Sequence, residues 1–305
     1  MTAPAAPTPG DHGGDGVRLA RALGLEPRDV LDLSASLNPV APDPAPVVAR
    51  HLEAVGRYPD PAPATAALAR AMEVEPTRLL LTNGGAEAIA LVAAEQGAGW
   101  VDEPDFSLYR RHLPVLDPAA GRWRSTPHNP TGLLAAPGDG AAVWDEAFWP
   151  LATGTWTRGD IGHGAVVVGS LTKLLACPGL RIGYVLCPTG DLATRLAARQ
   201  PRWSLNGLAA AALPELLAAV DLPAWAAATA RLRGQLTAVL RETGYDTRPS
   251  QANWLLVDAP GLRDHLAARG ILVRDCASFG LPGTVRIAVT DDEGLNRLDA
   301  ALVAR

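Results

Sequence analysis

The stretch that decides the fold is AVVVGSLTKLLACPGLRIGY, residues 165–184. An apolar, β-branched run (AVVVGS, 165–170) reads as a buried strand. Two hydroxyls, Ser170 and Thr172, come next, then Lys173, and Arg181 follows eight residues on. RIGYVL (181–186) reads as a second strand. A loop that gathers hydroxyls, a primary amine and a guanidinium behind a strand suits an anion beside a nucleophilic lysine. Taken alone, Arg181 would more often be an ordinary surface residue.

Composition sharpens the reading of Lys173. Of the 27 Lys and Arg residues in the 305-residue chain, 26 are Arg, and Lys173 is the only lysine. Arginine replaces lysine on a surface, because both are cations. It cannot replace lysine where a neutral amine attacks a carbonyl. Composition alone leaves open that Lys173 is a chance survivor. The net charge of -5 argues against a general nucleic-acid binder, whose footprint is basic. No apolar run approaches the ~18–20 residues of a membrane span. The Pro- and Gly-rich start lacks the basic and apolar regions of a secretory signal. Three widely spaced cysteines fit a reducing cytoplasm better than a disulfide framework. No His/Cys spacing points to a metal.

Outward from that stretch, strands alternate with helices. LLLT (79–82) reads as a strand and opens into a helix at NGGAEAIALVAAEQ. AAVWDEAF (141–148) reads as a strand with polar residues at its C-terminal end. NWLLVD (253–258), ILVR (271–274) and TVRIAV (284–289) read as strands among helices. The alternation predicts a mainly parallel α/β sheet, with ligands at the C-terminal strand ends. The last hundred residues read as a smaller α+β domain.

Several residues then match the needs of a pyridoxal-phosphate (PLP) site. Such a site requires a Schiff-base amine and a carboxylate opposite the pyridine nitrogen. It also requires a flat group on the ring, phosphate donors and a hydrogen bond to the ring oxygen. Asp145 in VWDEAF offers the carboxylate, although a single Asp is commonly a helix cap. Asn129 in HNPTG (128–132) offers the ring-oxygen donor, and Phe106 in PDF the stacking ring. Each also has a purely structural reading. The turn TNGGAEA (82–88) lets backbone N–H groups approach an anion at a helix start, but lacks the Lys-Ser/Thr of a P-loop.

In order along residues 36–289, the series LNP, RYPDP, TNGGAEA, PDF, NPTG, DEAF, SLTK with PGLR, and VRIAV resembles fold-type I PLP enzymes of the class I/II aminotransferase group. The resemblance implies an arm over residues 1–45 that packs with the small domain. It implies a PLP-binding domain over 46–205 and a small C-terminal domain over 206–305. It makes Lys173 the Schiff-base lysine and Asp145 the pyridinium partner. Gly85, Ala86, Ser170, Thr172 and Arg181 become the phosphate cup. Tyr58 matches a tyrosine that reaches a neighbouring subunit's phosphate, which implies a homodimer. His12, Asn38, Arg274 and Arg286 become substrate contacts, Arg286 gripping a carboxylate.

Two branches of the group compete. HGG (12–14), LDLSASLNP (31–39), PRWSLNGLA (201–209) and RDCASFGLPGTVRIAV (274–289) are more similar to the threonine-phosphate decarboxylases. Phe148 stands where aminotransferases of the group usually carry a tyrosine. That branch implies a small phosphorylated amino-acid substrate and decarboxylation of L-threonine O-3-phosphate in cobalamin biosynthesis. The alternative is transamination of histidinol phosphate or a related amino acid, and a third reading is a PLP-binding homologue without turnover. The chain departs from the group in two short spans, Tyr109 to Asn129 and Gly132 to Asp145. A peripheral element of the large domain is expected to be missing there.

Overall fold

The computed structural model describes Thr8, Gly10 and residues 12–303. In chain order its strands are β1 (Leu31–Asp32), β2 (Leu79–Asn83), β3 (Ala98–Val101), β4 (Val115–Leu116), β5 (Arg122–Ser125) and β6 (Val143–Asp145). They continue with β7 (Val166–Ser170), β8 (Ile182–Leu186), β9 (Trp254–Asp258), β10 (Ile271–Leu272), β11 (Arg274–Asp275) and β12 (Thr284–Ala288). By its contacts the chain divides into two compact units. The larger holds Ala41–Asn129 and Leu134–Ala226. The smaller holds residues through Val40, Pro130–Leu133, and Ala227 onward.

The larger unit is a seven-stranded sheet in the order β2-β8-β7-β6-β5-β3-β4. Strand β8 runs antiparallel to both its neighbours, and the other pairings are parallel. Val166, Val167, Val168, Val185 and Leu186 are almost wholly buried, as expected of strands covered on both faces. Burying each such side chain stabilises by roughly 1.5–3 kcal/mol. The helix Gly84–Gln96 lies across β8, β7 and β2. It approaches β8 closely because Gly183 has no side chain there. A Cβ on Gly183 would stand 2.3 Å from the Gly84 carbonyl carbon and 2.5 Å from the Gly85 nitrogen.

Strands β3 and β5 (AGWV and RWRS) carry the sheet outward, although their sequences give no clear strand pattern. Between β5 and β6 no helix forms among residues 126–142. That connection is tied down by ion pairs and backbone contacts instead. Arg124 meets Asp139 at 2.7 Å, and Arg158 donates to the Asp139 carbonyl at 2.9 Å while stacking on Trp144.

The smaller unit joins an antiparallel sheet, β11-β12-β9, to the parallel pair β1-β10. Its core is a cluster that includes Leu33, Leu236, Leu255, Leu266, Ile287 and Leu298. The N-terminal segment is fastened here through Leu31↔Ile271 pairing. The observed division falls at Val40 and Ala226, whereas the sequence reading set it at 45 and 205. The helix Gly207–Ala218 packs on the helix Ala62–Met72 and so clusters with the larger unit.

Candidate active site

In the larger unit the candidate residues gather at one edge of the sheet. β2, β3, β5, β6 and β7 run the same way, so their C-terminal ends share that edge. Gly84 follows β2, Phe106 follows β3, and Asn129 follows β5. Asp145 ends β6. Ser170 ends β7 and leads into the short helix Leu171–Leu174, which carries Lys173. Arg181 precedes β8 at the same edge, because Gly183 pairs with both Thr82 and Ser170. This is the ligand-bearing edge of open α/β sheets.

A cradle lies between the β2 and β8 ends. Gly84 has φ +75°, and a Cβ there would sit 2.5 Å from the Arg181 Nη2. The arginine therefore lies directly over the start of a 13-residue helix. A Cβ on Gly85 would touch the Ser170 side chain at 3.4 Å. A guanidinium, a hydroxyl and the free N–H groups of the first helical turn thus converge, which suits a phosphate. Thr172 is buried and donates its hydroxyl to the Ile182 carbonyl at 3.3 Å.

Asp145 is partly buried, and each of its oxygens accepts a hydrogen bond. Tyr109 donates its hydroxyl to Oδ2 at 2.7 Å, and the Ala147 N–H donates to Oδ1 at 2.9 Å. Desolvation pushes the carboxyl up to about 6, while these two donors pull it down. Asn129 is held from behind. Its N–H donates to Ser125 Oγ at 2.8 Å, and Ser125 Oγ donates to Asp105 at 2.5 Å. Asp105 is buried, which pushes it to about 6, and it also accepts the Ser125 N–H. Phe106 meets Tyr109 edge-on, with ring centroids 5.7 Å apart.

The expected substrate contacts all belong to the smaller unit. Arg274 and Arg286 are direct partners across β11 and β12. Both are buried, and burial lowers Arg286 to about 10. Arg286 lies over the Trp254 ring, and Arg274 donates to Ser278 Oγ at 2.8 Å. Asn38 is buried and accepts the Val40 N–H, while His12 is exposed. The Gly13–Gly14 turn is anchored by Ser34, whose Oγ accepts the Gly14 N–H at 2.8 Å. Tyr58, in the larger unit, is exposed and stacks on Trp203 at 4.4 Å.

The model of the family described as "Aminotransferase class I and II" matches residues 123–302. The chain belongs to that family of PLP enzymes. Among the relatives of this aminotransferase-family chain is a histidinol-phosphate aminotransferase of Symbiobacterium thermophilum. The two are 31% identical over 93% of this chain and 92% of the relative. A threonine-phosphate decarboxylase of Salmonella typhimurium is 30% identical, with 95% of each covered. A solved histidinol-phosphate aminotransferase from Sinorhizobium meliloti, in complex with pyridoxal-5'-phosphate, shares the fold. Its TM-score is 0.81 at 19% identity, over 97% of this chain and 94% of that one. An L-threonine-O-3-phosphate decarboxylase from Porphyromonas gingivalis superposes with a TM-score of 0.74 at 23% identity, over 90% and 98%. The chain is therefore an enzyme of aminotransferase or decarboxylase type.

Three residues escaped the sequence reading: Asp105, Tyr109 and Ser125. Asp105 sits inside the quoted PDF, and Tyr109 one helical turn beyond Phe106. Nothing local announces that they meet Ser125 and Asp145 across the sheet. Among the described residues no group of His, Cys, Asp and Glu is arranged to hold a metal ion, and no single helix is long and apolar enough to cross a membrane.

Proposed function

We propose that this enzyme decarboxylates L-threonine O-3-phosphate to (R)-1-aminopropan-2-yl phosphate, using PLP held on Lys173. The observation that carries the substrate is the buried pair Arg274 and Arg286, side by side across two strands. Two guanidinium groups brought together in this way suit an anionic ligand. Threonine phosphate brings two anionic groups, a carboxylate and a phosphate, and so matches two cations; histidinol phosphate brings only the phosphate, while the glutamate of a transamination brings two carboxylates.

PLP, when bound, supplies an electron sink for the bond broken at the substrate α-carbon. The protein's part is positioning and proton control. Ser170, Arg181 and the N–H groups of Gly85 and Ala86 hold the cofactor phosphate, with Thr172 bracing that turn against β8. Tyr58 is assigned to the phosphate of a second subunit. Phe106 covers the ring and keeps water from it. Asn129 donates to the ring oxygen. Asp145, ionised, keeps a proton on the ring nitrogen. Lys173 holds the cofactor covalently and, once released, carries the proton delivered to the α-carbon. Arg274 and Arg286 grip the two anionic ends, with His12 and Asn38 as further substrate contacts. Phe148 brings no hydroxyl to the ring oxygen. The same reading makes the enzyme a cytoplasmic homodimer.

The 31% identity to a histidinol-phosphate aminotransferase favours a second reading, transamination. The purified enzyme is incubated with each substrate, with CO2 measured against glutamate-dependent keto product. CO2 from threonine phosphate is expected, and keto product without CO2 overturns the decarboxylase. Borohydride reduction should leave a pyridoxyl adduct on the Lys173 peptide and none in Lys173→Ala. A wild-type peptide without adduct overturns the cofactor assignment.

A further inference from the structure

We propose that Tyr109 is the positioning residue that holds Asp145 ionised and in a single orientation at the cofactor edge. This rests on the reading of Asp145 given above. Tyr109 is 1% exposed, and its hydroxyl reaches Asp145 Oδ2 at 2.7 Å. Its ring cannot swing away, because it is packed edge-on against Phe106 and tilted against Trp123, with centroids 5.7 and 5.9 Å away. The helix Ser107–His112 follows directly on Phe106. Positions three apart share a helix face. One turn of chain therefore sets both the ring-covering Phe106 and the donor to Asp145.

The need for such a donor follows from the surroundings. The titratable groups brought to bear on Asp145 include Tyr109 from that helix, Asp105 from the segment before it, and Tyr184 from β8. Glu146 is the next residue in the chain and also acts on Tyr184. Burial and the negative charge of Asp105 both favour the neutral acid, which could not keep a proton on a ring nitrogen. Against them stand the Tyr109 hydroxyl and the Ala147 N–H. Burial also keeps the Tyr109 phenol well above its ordinary range, so it stays a donor across the working pH. Ser125 faces the same hydroxyl and hands its own proton to Asp105. The phenol is thereby kept aimed at Asp145.

The test is Tyr109→Phe, which keeps the ring and removes the donor. In apo-protein labelled with 13C-carboxyl aspartate, the Asp145 resonance is assigned through Asp145→Asn and then titrated. Its midpoint should rise by about one pH unit, the loss expected for one hydrogen bond to a charged group. The acid limb of kcat/KM in the holoenzyme should move up equally. An unmoved midpoint and limb overturn the proposal. Should Tyr109→Phe not fold, the same carboxyl is titrated in protein whose four tyrosines are 3-fluorotyrosine. That stronger donor should lower the midpoint, and an unchanged one overturns the proposal. The apo titration does not involve the cofactor. A missing adduct on Lys173 with a shifted Asp145 midpoint would therefore sink the cofactor reading alone.

Discussion

Asp105, Asp145 and Glu146 are three enclosed carboxyls whose protonation the fold perturbs in the same direction. Desolvation is the largest cause in each, and it raises them to about 6, about 6 and about 7. Unfolded, they titrate near ~3.9 for Asp and ~4.3 for Glu. Between roughly pH 4 and 7 the native protein thus binds more protons than the unfolded chain, and stability falls as pH rises through that window. The paired carboxylates Glu95 and Glu215 are shifted down by their arginine partners, so their contribution is lost only in more acid solution. The urea midpoint of the apo-protein should therefore be higher at pH 5 than at pH 8. A midpoint that climbs steadily toward pH 8 would contradict the burial seen at these three residues. The same residues show where reading residue by residue stops. Asp145 was legible from its place at the end of a strand. Its dependence on Tyr109 was not, because the contact spans 36 positions.

At the scale of elements, the contact between the helix Gly84–Gln96 and β8 sets the phosphate cradle. Gly183 meets the backbone of Gly84 and Gly85, so any side chain on it would push helix and strand apart, while a Cβ on Gly84 would displace the Arg181 guanidinium. Gly183→Ala should shift the helix start and cost about 1–3 kcal/mol of packing. Displaced N–H groups should weaken PLP binding roughly tenfold, a loss of about 1.4 kcal/mol. Binding of pyridoxal, which has no phosphate, should change little, and fluorescence titration with both ligands checks this. Equal weakening of the two would remove the cradle from phosphate binding. β2, β7 and β8 were legible as apolar runs. β3 and β5 were not: RWRS alternates two partly exposed arginines with a buried Trp123 and Ser125, and its partners, β3 and β6, come from distant sequence. The shortened connection before β6 is also an element-scale matter. Arg158 over Trp144, with Arg124 and Asp139, gives that loop side-chain and backbone ties where it has no helix.

At the scale of the whole molecule, the larger unit exposes several large apolar side chains. Leu52, Val55, Tyr58 and Trp203 are 58%, 70%, 77% and 54% exposed. Leu52 and Val55 share one short helical turn, and Tyr58 stacks on Trp203. Contiguous exposed apolar groups mark interaction surfaces. This is the face expected to be covered if the homodimer proposed above forms. Sedimentation velocity should show a species of twice the 31.8 kDa chain mass, and Val55→Asp with Trp203→Asp should shift it to the monomer. A wild-type protein that sediments as a monomer at micromolar concentration would rule the dimer out.

The order of short motifs, from LNP to VRIAV, determined the family and with it the fold. The solitary lysine gave the expectation of where a covalent cofactor attaches. Those features are local: a turn, a strand end or an amine is written in a few adjacent residues. The tertiary structure decided the division at Ala226, the Asp145–Tyr109 and Asp105–Ser125–Asn129 contacts, and the pairing of Arg274 with Arg286. Each of these depends on which strands become neighbours and which side chains lose water. Packing settles that between distant parts of the chain, and no local pattern encodes it.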